Sequence, residues 1–155
     1  MSKVYDCCFI YNEAPLLELR LRLLQRVVDK FIIVEGKESF TGNKHDLIGP
    51  AIIAKFPELA SQIEYHAIDF PAGMTDSWKR ENYARDYASK GLSDIEPDDL
   101  VIIGDADEIV NPKDIDMIKV YVSTFDLIAL KLQFLSLKGD LKAVTGGKDY
   151  NFWPT

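Results

Sequence analysis

The chain has 155 residues, room for one domain of ordinary size and hardly for two. With 47% hydrophobic and 28% charged residues it has a globular composition, which excludes a disordered chain and a fibrous repeat. A net charge of −7 argues against nucleic acid as a partner, because that affinity rests mainly on Lys and Arg contacts to phosphate.

Short apolar runs alternate with helical patterns, which predicts an α/β fold with a mostly parallel sheet, built as a single domain over 1–155. Val4 to Tyr11 reads as a buried first strand, and Glu13 to Val28 as a helix with Leu16, Leu19, Leu23 and Val27 at three- and four-residue spacing. Phe31 to Val34 is a second buried strand ending on Glu35. A polar loop over Gly36 to Gly49 follows, with a turn at Thr41-Gly42-Asn43-Lys44. Pro50 opens a short helix to about Phe56, and Pro57 begins another. Ile63 to Ile68 alternates apolar and polar and reads as a third strand. Thr75 or Asp76 caps a helix over Ser77 to Ser89, which Gly91 closes. Leu100 to Ile103 is the most hydrophobic strand and runs into Gly104-Asp105-Ala106-Asp107-Glu108. Pro112 starts a short helix to about Tyr121, and Leu127 to Leu137 reads as a last long strand.

Met1 to Asp6 carries no apolar signal segment, and no apolar run approaches the roughly 18 residues of a membrane span. The expectation is a cytoplasmic protein with no membrane span. Cys7 and Cys8 are the only cysteines, and neighbours on a strand point to opposite faces. They are expected to be two buried, reduced thiols, not a disulfide or a zinc site.

The strongest chemical signal is Asp105-x-Asp107 followed by Glu108, three carboxylates in four residues at the C-terminal end of a buried strand. Open α/β sheets bind ligands at that end. Crowded carboxylates repel one another, and an oxygen-preferring cation, Mg²⁺ or Mn²⁺, relieves the repulsion. The bland alternative is a solvated acidic turn capping the next helix. On the 77–89 helix, Trp78, Asn82 and Arg85 share one face, and the segment Trp78-Lys79-Arg80 is basic. Beside an acidic cation site, such a cluster suits a diphosphate; otherwise it is a surface helix with ion pairs such as Glu81–Arg85. Tyr11-Asn12-Glu13 and Glu35 end the first two strands and should open on the same sheet edge as Asp105. Glu35 could accept bonds from a ribose or a base, and Asn12 and Glu13 could equally cap the following helix. His45 and His66 have no evident partner, and His66 reads as structural.

In this order, the segments from Val4 to Glu13, Leu16 to Arg20, Val28 to Glu35, Ser39 to Gly42, Trp78 to Glu81 and Asp98 to Ile109 resemble glycosyltransferase family 17. That family includes β-1,4-mannosyl-glycoprotein 4-β-N-acetylglucosaminyltransferases and bacterial and viral relatives. The resemblance covers about 4–135. It implies a GT-A type fold, a Rossmann-like nucleotide-sugar domain that uses Mn²⁺ or Mg²⁺. It further implies Asp107 as the main metal ligand, with Asp105 assisting through the ribose or a metal-bound water. Tyr11, Asn12, Glu13 and Glu35 would line the nucleoside pocket, and Lys79 or Arg80 would approach the diphosphate. The donor it implies is a UDP-sugar, UDP-N-acetylglucosamine first, and the acceptor a glycan or other hydroxyl.

Enzymes of this fold usually carry acceptor site and general base well beyond the acidic motif, whereas 47 residues follow Glu108 here. The expectation is therefore a short variant, a form truncated at its C-terminus or a donor-binding half, with no residue assigned as base; Asp140 and Asp149 are not assigned. The aromatic tail Tyr150 to Trp153 is expected to pack on its own sheet or to form a homodimer. Two other readings stay open: a non-catalytic nucleotide-sugar-binding module of the same fold, and a nucleotidyltransferase. No Walker loop or GxGxxG turn supports a P-loop or dinucleotide enzyme.

Overall fold

A computed structural model of the chain describes residues 2–125 and 127–130, and further on the backbone of 135–136, 141–142, 144–145 and 148–149. Four strands, β1 (Val4–Ile10), β2 (Lys30–Gly36), β3 (Ile63–Ile68) and β4 (Leu100–Asp105), form one sheet in the order β3-β2-β1-β4, every pair parallel. This is the α/β architecture expected from the alternating pattern, and its order is that of the first half of a doubly wound nucleotide-binding sheet.

The central strands are apolar because both of their faces are covered. All seven residues of β1 are buried, as are Phe31 to Glu35 of β2. Successive side chains alternate faces. Tyr5, Cys7 and Phe9 join Ile32, Val34 and Ile68 under Ala84 and Ala88 of α3 (Ser77–Ala88), which lies across β1 and β2. The opposite face of β1, with Asp6, meets α1 (Ala14–Leu24), and α1 packs on α2 (Gly49–Ile53). A fully buried Leu or Phe contributes about 1.5–3 kcal/mol, so this two-sided core dominates the fold's stability.

Asp76 caps α3, its carboxylate accepting a bond from the Lys79 amide at 2.9 Å. The α1 stripe differs from the expected one. Leu17, Arg20, Leu21 and Leu24 are buried, whereas Leu19 and Leu23 are exposed, because the partner of Arg20 lies inside the sheet and sets the helix rotation. The helix also ends earlier than expected: the amides of Val27 and Val28 both turn back to the Leu24 carbonyl.

By its contacts the chain divides into two compact units, Met1–Ile115 and Asp116–Thr155. Helix α4 (Ile115–Val122) leads into the second. There, β5 (Leu135–Ser136) pairs with β6 (Leu141–Lys142), and β7 (Val144–Thr145) with β8 (Lys148–Asp149), both antiparallel. The strand expected over Leu127 to Leu137 is not continuous. Residues 127–130 carry no regular structure, since among the described residues no strand pairs with them, and 131–134 and 137 lie outside the described residues. The aromatic tail, Tyr150 to Trp153, lies outside them as well. Among the described residues no helix is long and apolar enough to cross a membrane.

Cys7 and Cys8 are free and fully buried, and burial pushes both thiols up to about 12 from an ordinary 9.0. A thiol raised on folding adds stability below its unfolded value and loses it as pH rises towards the folded one. The native protein should therefore resist a thiol reagent at pH 8 and yield two thiols in denaturant. Its unfolding free energy should fall between about pH 9 and pH 12. Rapid labelling of the folded chain would contradict this burial.

Candidate active site

In a sheet of this order the chain leaves β1 and β4 in opposite directions, and the crevice between their C-terminal ends is where such folds bind ligands. Phe9 on β1 stands beside Asp105 on β4, so Tyr11-Asn12-Glu13 and the acidic loop after β4 share this edge.

The acidic loop is built before any ligand is considered. The Glu108 amide donates to the Asp105 carbonyl at 3.0 Å, and a Glu108 carboxylate oxygen accepts from the Asp105 amide at 2.9 Å. Gly104 makes this possible, because a Cβ there would lie 2.8 Å from that same oxygen. Glu108 thus holds the turn, which leaves Asp105 half-exposed and Asp107 exposed. The Asp105 carboxyl is pushed above its ordinary range, first by partial desolvation, while Arg85 opposes the shift and Glu108, Asp107 and Glu81 reinforce it.

Beneath the loop lies a residue that the sequence reading passed over. Arg20 is completely buried. Its Nε and Nη2 grip the two Asp6 carboxylate oxygens at 2.7 and 2.8 Å, and its Nη1 donates to the carbonyls of Asp105 and Glu108 at 2.9 and 3.0 Å. One planar guanidinium therefore ties α1, β1 and both ends of the acidic turn together, a geometry lysine cannot reproduce. The available signal was a pair of opposite charges, each alone within an otherwise apolar strand or helix face.

The remaining expected site residues fall into two groups. Tyr11, Asn12 and Glu13 do stand at the β1 edge. A Glu13 carboxylate oxygen accepts from the Tyr11 and Asn12 amides at 2.8 and 3.0 Å, and the exposed Tyr11 ring meets the His45 ring edge-on at 4.2 Å. His45 in turn bonds the Gly36 carbonyl through Nε2 at 2.6 Å. Lys79 is exposed near the start of α3.

The resemblance implies Glu35 at the nucleoside and Lys79 or Arg80 at the diphosphate; the side chains of Glu35 and Arg80 are both engaged by the protein itself. Glu35 is wholly buried, its carboxylate accepting from the amides of Ile48 and Gly49 and from the Tyr65 hydroxyl at 2.8, 2.9 and 2.7 Å. It anchors the end of the 36–49 loop. Arg80 donates to the Met74 and Ser39 carbonyls and pairs with Glu38 at 3.1 Å, its guanidinium 5.0 Å from the Phe70 ring centre. With its donors so engaged, it staples the same loop to α3. His66 behaves as a structural residue, edge-on to Tyr87 at 5.4 Å.

The cation paired with a carboxylate of the acidic loop is Arg85. Its Nη2 lies 3.3 Å from Asp105 and 2.7 Å from Glu81, and its guanidinium sits 5.6 Å from the centre of the Phe9 ring. Among the described residues no three His, Cys, Asp or Glu side chains converge as a complete metal cage. Asp105 and Asp107 are the two carboxylates of the loop that could be offered to a hard divalent cation, which commonly takes one or two carboxylates and completes its shell with water and substrate phosphates.

The sequence pattern of glycosyltransferase family 17 matches residues 1–137. Curated relatives include the β-1,4-mannosyl-glycoprotein 4-β-N-acetylglucosaminyltransferases of Rattus norvegicus, 27% identical over 158 residues, and Homo sapiens, 26% identical. Each alignment takes in 93% of this chain but only 29% and 30%, respectively, of the relative's length.

Proposed function

This chain belongs to glycosyltransferase family 17, and on that premise we propose that it forms the donor-binding part of an enzyme moving a sugar from a UDP-sugar to a hydroxyl acceptor. The observation that carries this reading is the position of Asp105 and Asp107, on a braced turn where β4 ends beside β1 in a parallel sheet. The names of the relatives favour N-acetylglucosamine as the sugar and a glycan as the acceptor.

Asp107 and Asp105 would hold Mn²⁺ or Mg²⁺, which when bound supplies a Lewis acid for the charge on the departing diphosphate. The chain's own residues do the rest. Tyr11 and Asn12, held by Glu13, offer an aromatic face and an amide at the nucleoside side of the crevice. Arg85 and Lys79 supply positive charge along α3 for the diphosphate. Glu108 and Arg20 keep the acidic turn in one conformation, so little of the binding energy goes into ordering it.

Calorimetry with UDP and Mn²⁺, followed by transfer and hydrolysis assays over UDP- and GDP-sugars, tests the reading. UDP binding should require the cation, vanish with EDTA and fall at least tenfold in Asp107→Ala, roughly the loss of one charge-assisted contact. Binding without turnover would point to a donor-binding module. Cation-independent binding, unchanged in Asp107→Ala, would overturn the assignment.

A further inference from the structure

Arg85 is the half-exposed cation at the crevice, and it stands between two carboxylates. The longer contact is to Asp105 and the shorter to Glu81, one turn back along α3, while the Phe9 ring supports the guanidinium from the sheet. The carboxylates of Glu108, Asp107 and Glu81 all act on that of Asp105 here. Arg20, the other nearby cation, already has Asp6 as its partner. Arg85 is therefore the resident cation of the acidic loop, and it has a second carboxylate waiting when it leaves the first.

We propose that Arg85 acts as a counter-cation at Asp105 that a divalent cation displaces, and that the freed guanidinium then turns to the donor's diphosphate. The inference rests on the acidic loop being the cation site. A guanidinium and a divalent cation repel each other at one carboxylate, so Arg85 lowers the loop's affinity for metal alone. A diphosphate attracts both cations, and its arrival removes that penalty. Metal and diphosphate must then raise each other's affinity by one common factor, as linkage requires. The result is a loop that discriminates against free metal and binds it chiefly together with donor.

The test is a Mn²⁺ titration of the full chain followed by electron paramagnetic resonance, with and without UDP, on the wild type, Arg85→Gln and Arg85→Lys. Removing the competing charge should tighten binding of Mn²⁺ alone about two- to fivefold in Arg85→Gln, the range of an exposed ion pair. The enhancement of Mn²⁺ affinity by UDP should shrink in the same variant. Arg85→Lys, which keeps the charge, should bind Mn²⁺ alone nearly as the wild type does. A purely structural Arg85 would not tighten Mn²⁺ binding when replaced. Unchanged or weaker Mn²⁺ binding in Arg85→Gln, with the wild type binding normally, would overturn this inference alone. No Mn²⁺ binding by the wild type, with or without UDP, would overturn the cation-site reading and this inference with it.

Discussion

Arg20→Met should cost the folded state about 3–5 kcal/mol, because it strands the Asp6 carboxylate in the core and takes the guanidinium away from the Asp105 and Glu108 carbonyls. That is a large share of a typical domain's 5–15 kcal/mol. Urea unfolding followed by circular dichroism would measure it. The double variant Asp6→Leu with Arg20→Met separates two contributions. Replacing both partners of a buried pair by apolar residues is often close to neutral, so stability should largely return. The acidic turn still lacks the guanidinium that bridges its two carbonyls, so UDP affinity in the presence of Mn²⁺ should stay reduced. If affinity returned together with stability, Arg20 would matter only to the core and not to the turn.

Glu35→Ala should rank second, with a loss of about 3 kcal/mol, since it deprives the Ile48 and Gly49 amides and the Tyr65 hydroxyl of their shared acceptor at once. Glu35→Gln keeps the shape but presents an amide group to donors, and should cost about half as much. Gly49 leaves no slack for a repair, because a Cβ there would already lie 2.9 Å from the Glu35 carboxylate and 2.3 Å from the Tyr65 ring. Faster hydrogen exchange at the Ile48 and Gly49 amides would localise the damage to the loop end. A Glu35→Gln protein of normal stability that has lost UDP affinity would instead place this carboxylate in the nucleoside pocket.

The two residues show where reading the sequence succeeds and where it stops. Apolar runs, broken in β1 only by Asp6, announced β1, β2 and β4, and the acidic triplet at the end of β4 could be placed at the C-terminal edge of the sheet from chain order alone. Whether a charged side chain at a strand end points out or in depends on what covers it. Glu35 shares a face with Phe31 and Ile33, and the start of α2 closes over it, a position that five residues of helix do not reveal in advance. Arg80 and Arg85 lie five residues apart on one helix. One is absorbed by a loop folding back from residues 38–39 and the other faces Asp105, a difference set by contacts remote in sequence. The α1 stripe failed for a related reason: hydrophobic spacing suggested Leu19 and Leu23, but a buried charge pair decided which side faced inward.

Strand β1 lies between β2, its near neighbour along the chain, and β4, whose Leu100 pairs with Val4 across 96 positions. The β3-β2-β1 portion closes through short successive crossovers, whereas β4 must be brought in across a long stretch of polypeptide, and such distant pairings are slow to form. During synthesis the first three strands emerge well before the one bearing Asp105. The two aspartates of the acidic turn thus arrive with the last of the four strands, so on the proposed reading a nascent or partly unfolded chain that has not yet inserted β4 lacks the site at which a nucleotide sugar would be held.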